Sequence, residues 1–275
     1  MRISTATSVF VNYPLDAAVE QVIQAGLDGI DLWCGRPHLF RNDYPAGTLA
    51  ELKKRIESSG LAVVSVLPAF FRYPFSLSSP VDAIRVDSVN YMKDCIDNAV
   101  LMGAHHVLVV PTNTLYGQTL EDSRGTFIRS LETVCDHAEM RGMRLGIEVV
   151  YPRLSGYLNH TSQAIQVIRD LQSDMVGVVI DTGHLNLSKE GLQPALDGLG
   201  EYLWQVHVND NNSREQQNAI PGDGTFDFEE MMGLLRRYDY QGFLTLELGW
   251  SYSFDPYPAV VEAVKRMRGY METRE

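Results

Sequence analysis

Short apolar runs alternate with longer amphipathic stretches along the chain. Runs rich in β-branched residues at 3–10, 29–33, 61–68, 106–111, 144–150, 176–180, 203–208 and 243–248 predict strands. Segments 14–25, 48–59, 81–102, 120–140, 161–171, 192–199, 228–238 and 256–271 have helical spacing. Pro14 and Pro256 stand at helix starts, and Gly26, Gly60, Gly103 and Gly142 at helix stops. Runs such as VGVVI and HVLVV have no polar face, as expected of parallel strands covered on both sides. Eight strands in strict alternation with eight helices predict an α/β fold, a single (β/α)₈ TIM barrel domain over residues 1–275. A doubly wound open sheet is the alternative, but it usually carries a glycine-rich phosphate loop after its first strand, and SVFVNYP has none.

Composition narrows the function. At 275 residues, 45% hydrophobic and 21% charged, the chain has the balance of an ordinary globular protein. A formal charge of −12, with no extended run of Lys or Arg, argues against a nucleic-acid partner and fits a site that attracts cations. Three cysteines, odd in number and without a CxxC, point to a reducing compartment. The N-terminus lacks the basic-then-apolar order of a signal peptide, and no run reaches the ~18 apolar residues of a membrane helix. A cytoplasmic protein with no membrane partner is the expectation.

In barrels of this kind chemistry sits where strands end and βα loops begin. The last four strands read LGI-Glu148, VVI-Asp181, WQV-His207 and LTL-Glu247. Each residue has a bland reading: a solvated carboxylate, a hydrogen-bonded imidazole, or, for Asp181, a turn cap before Gly183. Four consecutive strands ending this way predict a shared partner, because a carboxylate buried after apolar residues needs a compensating charge. One divalent metal ion fits. Three oxygens and one nitrogen suit Mn²⁺, Mg²⁺ or Co²⁺ over a thiolate-seeking ion, with Zn²⁺ as a further candidate.

Other groups fall at the same rim. His184 follows Asp181 in IDTGH, Asn209 and Asp210 follow His207, and Arg214 lies in NDNNSREQQ. IPGDGTFDF reads as a turn, with Thr225 or Asp227 as the next helix N-cap. His105, His106, His137 and His160 receive a structural reading. After strand two, GIDLWCGRPHLF places Trp33, Arg36, His38 and Phe40 at the mouth. They read either as loop packing or as a substrate wall, with an aromatic face against sugar C–H groups and Arg36 and His38 on hydroxyls.

These segments together resemble the sugar phosphate isomerase/epimerase superfamily, the xylose-isomerase-like barrels. IEVV, VIDTGH, VHVND, the PGDG loop and LELG carry the resemblance over essentially the whole chain. Within that superfamily the pattern is similar to ketose 3-epimerases of the D-tagatose and D-psicose type, to fructoselysine 3-epimerase, which GIDLWCGRPHLF matches in particular, and to inosose isomerases. The resemblance implies that Glu148, Asp181, His207 and Glu247 bind a divalent ion, commonly Mn²⁺ or Co²⁺. It implies that Glu148 and Glu247 act as acid and base on opposite faces of the substrate, with His184 and Arg214 on substrate oxygens. Dimers and tetramers are common among such enzymes. One departure stands out: ketose 3-epimerases carry a further Glu six residues past the first ligand, where this chain has Leu154.

The expected activity is that of a metal-dependent isomerase of carbohydrate metabolism, C3 epimerisation of a ketose or ketose derivative through a stabilised enediolate, on a small sugar or polyol. An inosose isomerase or a dehydratase-type lyase uses the same apparatus. An endonuclease would need more histidine ligands and a basic rim, and a non-catalytic sugar-binding barrel would have no turnover to lose. The aromatic and acidic loop GWSYSFDPYP favours a neutral substrate over a phosphorylated one.

Overall fold

The computed structural model describes residues 1–71 and 73–273. Eight parallel strands close into a barrel in sequence order, β1 (Arg2–Ala6), β2 (Gly29–Trp33), β3 (Ala62–Leu67), β4 (His106–Val109), β5 (Arg144–Glu148), β6 (Val176–Asp181), β7 (Leu203–Val208) and β8 (Phe243–Leu246), and β8 pairs back onto β1. The helices on its outside are α1 (Leu15–Gln24), α2 (Ala46–Ser58), α3 (Asp82–Met102), α4 (Leu120–Arg141), α5 (Thr161–Leu171), α6 (Thr182–Ser188), α7 (Leu192–Leu199), α8 (Phe228–Arg237) and α9 (Pro256–Glu272). The single barrel expected from the alternation is the fold observed. No described helix is long and apolar enough to cross a membrane. Cys34, Cys95 and Cys135 are free and buried.

Local chemistry sets the element ends. Thr119 and Asp122 form a reciprocal capping box that starts α4. Gly103 ends α3 at φ 72°, a left-handed conformation that costs glycine nothing. Two differences from the sequence pattern occur at the C-terminal mouth. The first strand stops at Ala6, and Thr7–Phe10 turns into a 3₁₀ helix over the barrel mouth, where Thr7 Oγ1 accepts a hydrogen bond from Trp33 N. The apolar runs of strands four, five and eight extend past the last ladder residue because Val110, Val150 and Leu248 stay buried beyond it. The short helix α6 has no counterpart in the sequence reading. Its seven residues include Gly183 and are too few to show a period.

The barrel interior is unusual in its middle layer. Asp31 of β2 is fully buried and accepts hydrogen bonds from Ser4 Oγ (2.7 Å), Ser65 Oγ (2.6 Å), Gln205 Nε2 (2.6 Å) and Thr245 Oγ1 (3.2 Å). These partners come from β1, β3, β7 and β8, so one carboxylate on β2 ties five of the eight strands together. Burial raises its pKa, and the charge of His207 with the hydrogen bonds from Ser65, Ser4 and Gln205 only partly offsets the effect. This polar layer separates the two ends of the barrel.

Candidate active site at the C-terminal mouth

Strand register brings the four strand-end residues together. Asp181 pairs with His207 across β6 and β7, after a shift in register between Val178 and Val179. Glu148 closes β5, and Glu247 follows β8 directly. One donor atom from each of Glu148, Asp181, His207 and Glu247 lies within 4.8 Å of the others. His207 Nδ1 donates to Glu148 Oε1 at 2.8 Å and lies 3.2 Å from Glu247 Oε2. His207, Asp181 and Glu148 are buried, whereas the Glu247 side chain keeps 27% of its surface open to the cavity.

Electrostatics explains this clustering. Burial alone pushes the His207 imidazole down, but Glu148 and Glu247 around Nδ1 outweigh it and hold its pKa well above the usual histidine value. Burial raises Glu247 too, and His207 and His184 reverse the effect and lower it. Burial lifts Asp181 to about 6 even though His184 opposes the shift. The imidazolium therefore supplies one positive charge among three carboxylates and leaves the cluster anionic. A divalent cation fits the same residues: three carboxylates and an inward-facing Nδ1 form a hard, anionic donor set of the right size.

Asp181 is also a helix cap, so the bland reading and the site geometry coexist. Its Oδ1 accepts from His184 N at 2.7 Å, and its Oδ2 accepts from Asn209 Nδ2 at 2.5 Å. His184 stacks on Tyr151 at 5.5 Å between centroids, and its buried Nδ1 has no hydrogen-bond partner.

A cavity of about 380 Å³ opens above the cluster. Glu148, Glu247, His184 and Trp33 line it, as the sequence reading places them. Arg36, His38 and Arg214 do not. The Arg36 fork binds Asp43 at 2.6 and 2.9 Å and stacks over Phe40. Both ring nitrogens of His38 are engaged, with Thr7 Oγ1 at 3.2 Å and the Tyr13 carbonyl at 3.1 Å, so neither is left for a substrate hydroxyl. His38 instead meets Trp33 edge-on at 5.9 Å and steadies it from behind. Arg214 lies at an exposed loop position, and Gln216, Gln217 and Asn218 of the same loop reach the cavity in its place. The amide-rich run NDNNSREQQN was the available signal for them. Leu154 also lines the wall.

Asp210 is the residue whose importance the sequence hid. It is fully buried and accepts hydrogen bonds from the backbone N–H groups of Asn211, Gly222, Gly224, Thr225 and Phe226 at 2.8 to 3.1 Å. The PGDG segment is thus wrapped around one carboxylate. A Cβ on Gly224 would stand 2.3 Å from the Asn211 carbonyl oxygen, so only glycine fits there. Asp227 then caps α8 by accepting from Glu230 N.

The family model for xylose isomerase-like TIM barrels matches residues 19–270. The chain belongs to this family. Among curated relatives, fructoselysine 3-epimerase of Shigella flexneri is 25% identical over 270 residues, 95% of each chain. D-Psicose 3-epimerase of Agrobacterium fabrum is 25% identical over 236 residues, 83% of this chain and 77% of that one. Among solved structures, the IOLI protein with a bound zinc atom superposes with a TM-score of 0.81 at 16% identity, covering 98% of both chains. The relatives with a named activity include epimerases and an isomerase.

Proposed function

We propose that the chain is a divalent-metal-dependent epimerase that inverts the carbon beside the ketone of a ketose or ketose derivative, with Glu148 and Glu247 as the acid/base pair. One observation carries this reading. Among the described residues, Glu148 and Glu247 are the only Asp, Glu, Lys or Arg side chains lining the cavity, and both converge on His207 Nδ1. The 3-epimerase activity of both curated relatives supports it.

Glu148, Asp181, His207 and Glu247 would hold the ion. Mn²⁺ suits the donor set best, with Co²⁺ and Mg²⁺ alongside, and Zn²⁺ is the ion of the related IOLI structure. When bound, such an ion supplies positive charge where negative charge builds on the substrate oxygens as the neighbouring proton leaves. Epimerisation then needs one carboxylate to take that proton and another to return one to the opposite face. The two glutamates come from strands three apart in the barrel ring, which supports this division of roles. The unpartnered His184 Nδ1 would meet a substrate oxygen, and Gln216, Gln217 and Asn218 would offer amides to hydroxyls. We assign Trp33 to the apolar faces of the sugar. His38 supports Trp33, and the hydroxyl contacts expected of Arg36 and Arg214 pass to His184 and the amides.

The remainder of the wall is apolar, with Phe70, Phe71, Leu154 and Trp250. That lining favours a neutral substrate with an apolar or extended end over a phosphorylated sugar. Incubation of the Mn²⁺-loaded protein with ketoses, fructosyl-amines and inososes, followed by NMR of the products, tests the proposal. A product of unchanged mass inverted at C3 is expected. A product that has lost water would move the assignment to a dehydratase, and no product from any compound would contradict it.

A further inference from the structure

The opposite end of the barrel holds a second cavity, also of about 380 Å³, at the N-terminal mouth. Its chemistry is the reverse of the first. Arg2 opens β1 and Arg144 opens β5, and both line it together with His105, His106, Trp204 and Phe243. The Arg2 guanidinium lies 3.9 Å over the Phe243 ring, and that of Arg144 4.9 Å over Trp204. Stacking fixes the plane of each fork and leaves its edges exposed. Asp239 lies on the rim, yet among the described residues neither arginine makes an ion pair. The side-chain hydrogen bond of Arg144, from Nε to the His105 carbonyl, is long at 3.4 Å.

One further observation marks the cavity as receptive to an anion. His106, 3% exposed at the cavity floor, faces Gln205 of the polar layer, which leaves the two arginines as the cavity's free donors. Burial, then the positive charge of Arg144 and Arg2, pushes the His105 imidazole below its ordinary pKa, so the field at this mouth is positive in a chain of net charge −12.

We infer that the N-terminal mouth is a binding site for the phosphate group of a small anion, distinct from the cavity at the strand C-termini. Two guanidinium groups on the wall of one cavity match a phosphate dianion in charge, whereas a carboxylate would neutralise only one. The cavity has room for a phosphate attached to a small metabolite as well as for free phosphate. The exposed edges of Arg2 and Arg144 supply the charge-assisted donors.

Calorimetric titration of the full chain at pH 7.5, at constant ionic strength, tests this with inorganic phosphate, fructose 6-phosphate and fructose. Saturable one-to-one binding of phosphate is expected. Arg144→Gln and Arg2→Gln should each weaken it about 10- to 100-fold, the effect of losing a charge-assisted hydrogen bond, and Arg144→Lys less. Glu247→Gln, at the other mouth, should leave it unchanged. Mn²⁺ binding by the arginine variants reports that they are folded, and Arg2→Gln carries the test alone should Arg144→Gln fail to fold. Tighter binding of fructose 6-phosphate than of phosphate would assign the site to a phosphorylated metabolite, and equal binding to phosphate itself; fructose should not bind here. Absence of saturable phosphate binding, binding indifferent to both arginines, or binding lost with Glu247→Gln would overturn the inference.

Discussion

The two mouths of this barrel enclose cavities of similar volume with opposite chemistry. The C-terminal mouth gathers three carboxylates around one imidazole; the N-terminal mouth gathers two stacked arginines and two histidines. Between them lies the polar layer centred on Asp31. β5 makes the contrast plain within five residues, since it begins with Arg144 at one mouth and ends with Glu148 at the other. In a parallel barrel every strand points the same way, so position along a strand decides which mouth a side chain serves. The same polarity that concentrates acids at one end leaves the other free to carry the opposite charge.

The most drastic way to break the contrast is to neutralise the acidic mouth. Glu148→Gln or Glu247→Gln should lower kcat by about 10²- to 10⁴-fold, the usual worth of a positioned acid/base group, with the fold intact by circular dichroism. A loss of activity accompanied by unfolding would assign the glutamate to structure instead.

The cation balance at that mouth provides the next test. Glu148 and Glu247 keep His207 protonated well above the ordinary histidine pKa, and a metal ligand must be the neutral imidazole. Metal binding near neutral pH should therefore release about one proton, and apparent affinity should fall about tenfold per pH unit as the medium is acidified. Calorimetry in buffers of different ionisation enthalpy counts the protons. Release of none would mean that His207 is already neutral, against the charge balance described for the site.

Stability should follow the loop that closes the acidic mouth. Asp210→Ala strips five backbone N–H groups of their acceptor, and even with water replacing most of them a loss of about 2–4 kcal/mol is expected in urea unfolding. A loss of a few tenths of a kcal/mol would show that the PGDG segment holds itself.

A smaller effect is expected from pH. Burial depresses His38 to about 4, against about 6.5 in an unfolded chain. Because the unfolded chain binds the proton first, this stabilising contribution is complete above pH ~6.5 and is lost as pH falls toward 4. His106, depressed to about 3 chiefly by burial, acts in the same direction. By pH 5 the His38 contribution should have fallen by about 2 kcal/mol. His38→Asn should flatten the urea midpoint between pH 7 and 5, and an unchanged pH dependence would remove His38 from this account.

The contrast also shows which features can be read from sequence. The barrel was legible because each element announces itself locally, by an apolar run or a helical period. The acidic mouth was legible because Glu148, Asp181, His207 and Glu247 each interrupt an apolar run at a strand end. Asp31 interrupts one too, in GIDLW, but its partners lie 27 to 214 residues away and only closure of the barrel names them. Arg36 and His38 looked alike in GRPHLF. The loop turns one toward Asp43 and buries the other behind Trp33, and residue type does not encode that choice. Asp210 read as one more polar residue after His207 because its five donors belong to the backbone of a loop whose path the sequence does not state.

Solvent exchange tests the central claim most directly. The Mn²⁺-loaded protein in D₂O, given the panel of ketoses and ketose derivatives, should incorporate one deuterium at the carbon beside the ketone of its substrate, without loss of water. Glu247→Gln should fail to do so under the same conditions. Product formation with no deuterium incorporated, or full incorporation by the Glu247→Gln protein, would contradict proton transfer by the two glutamates.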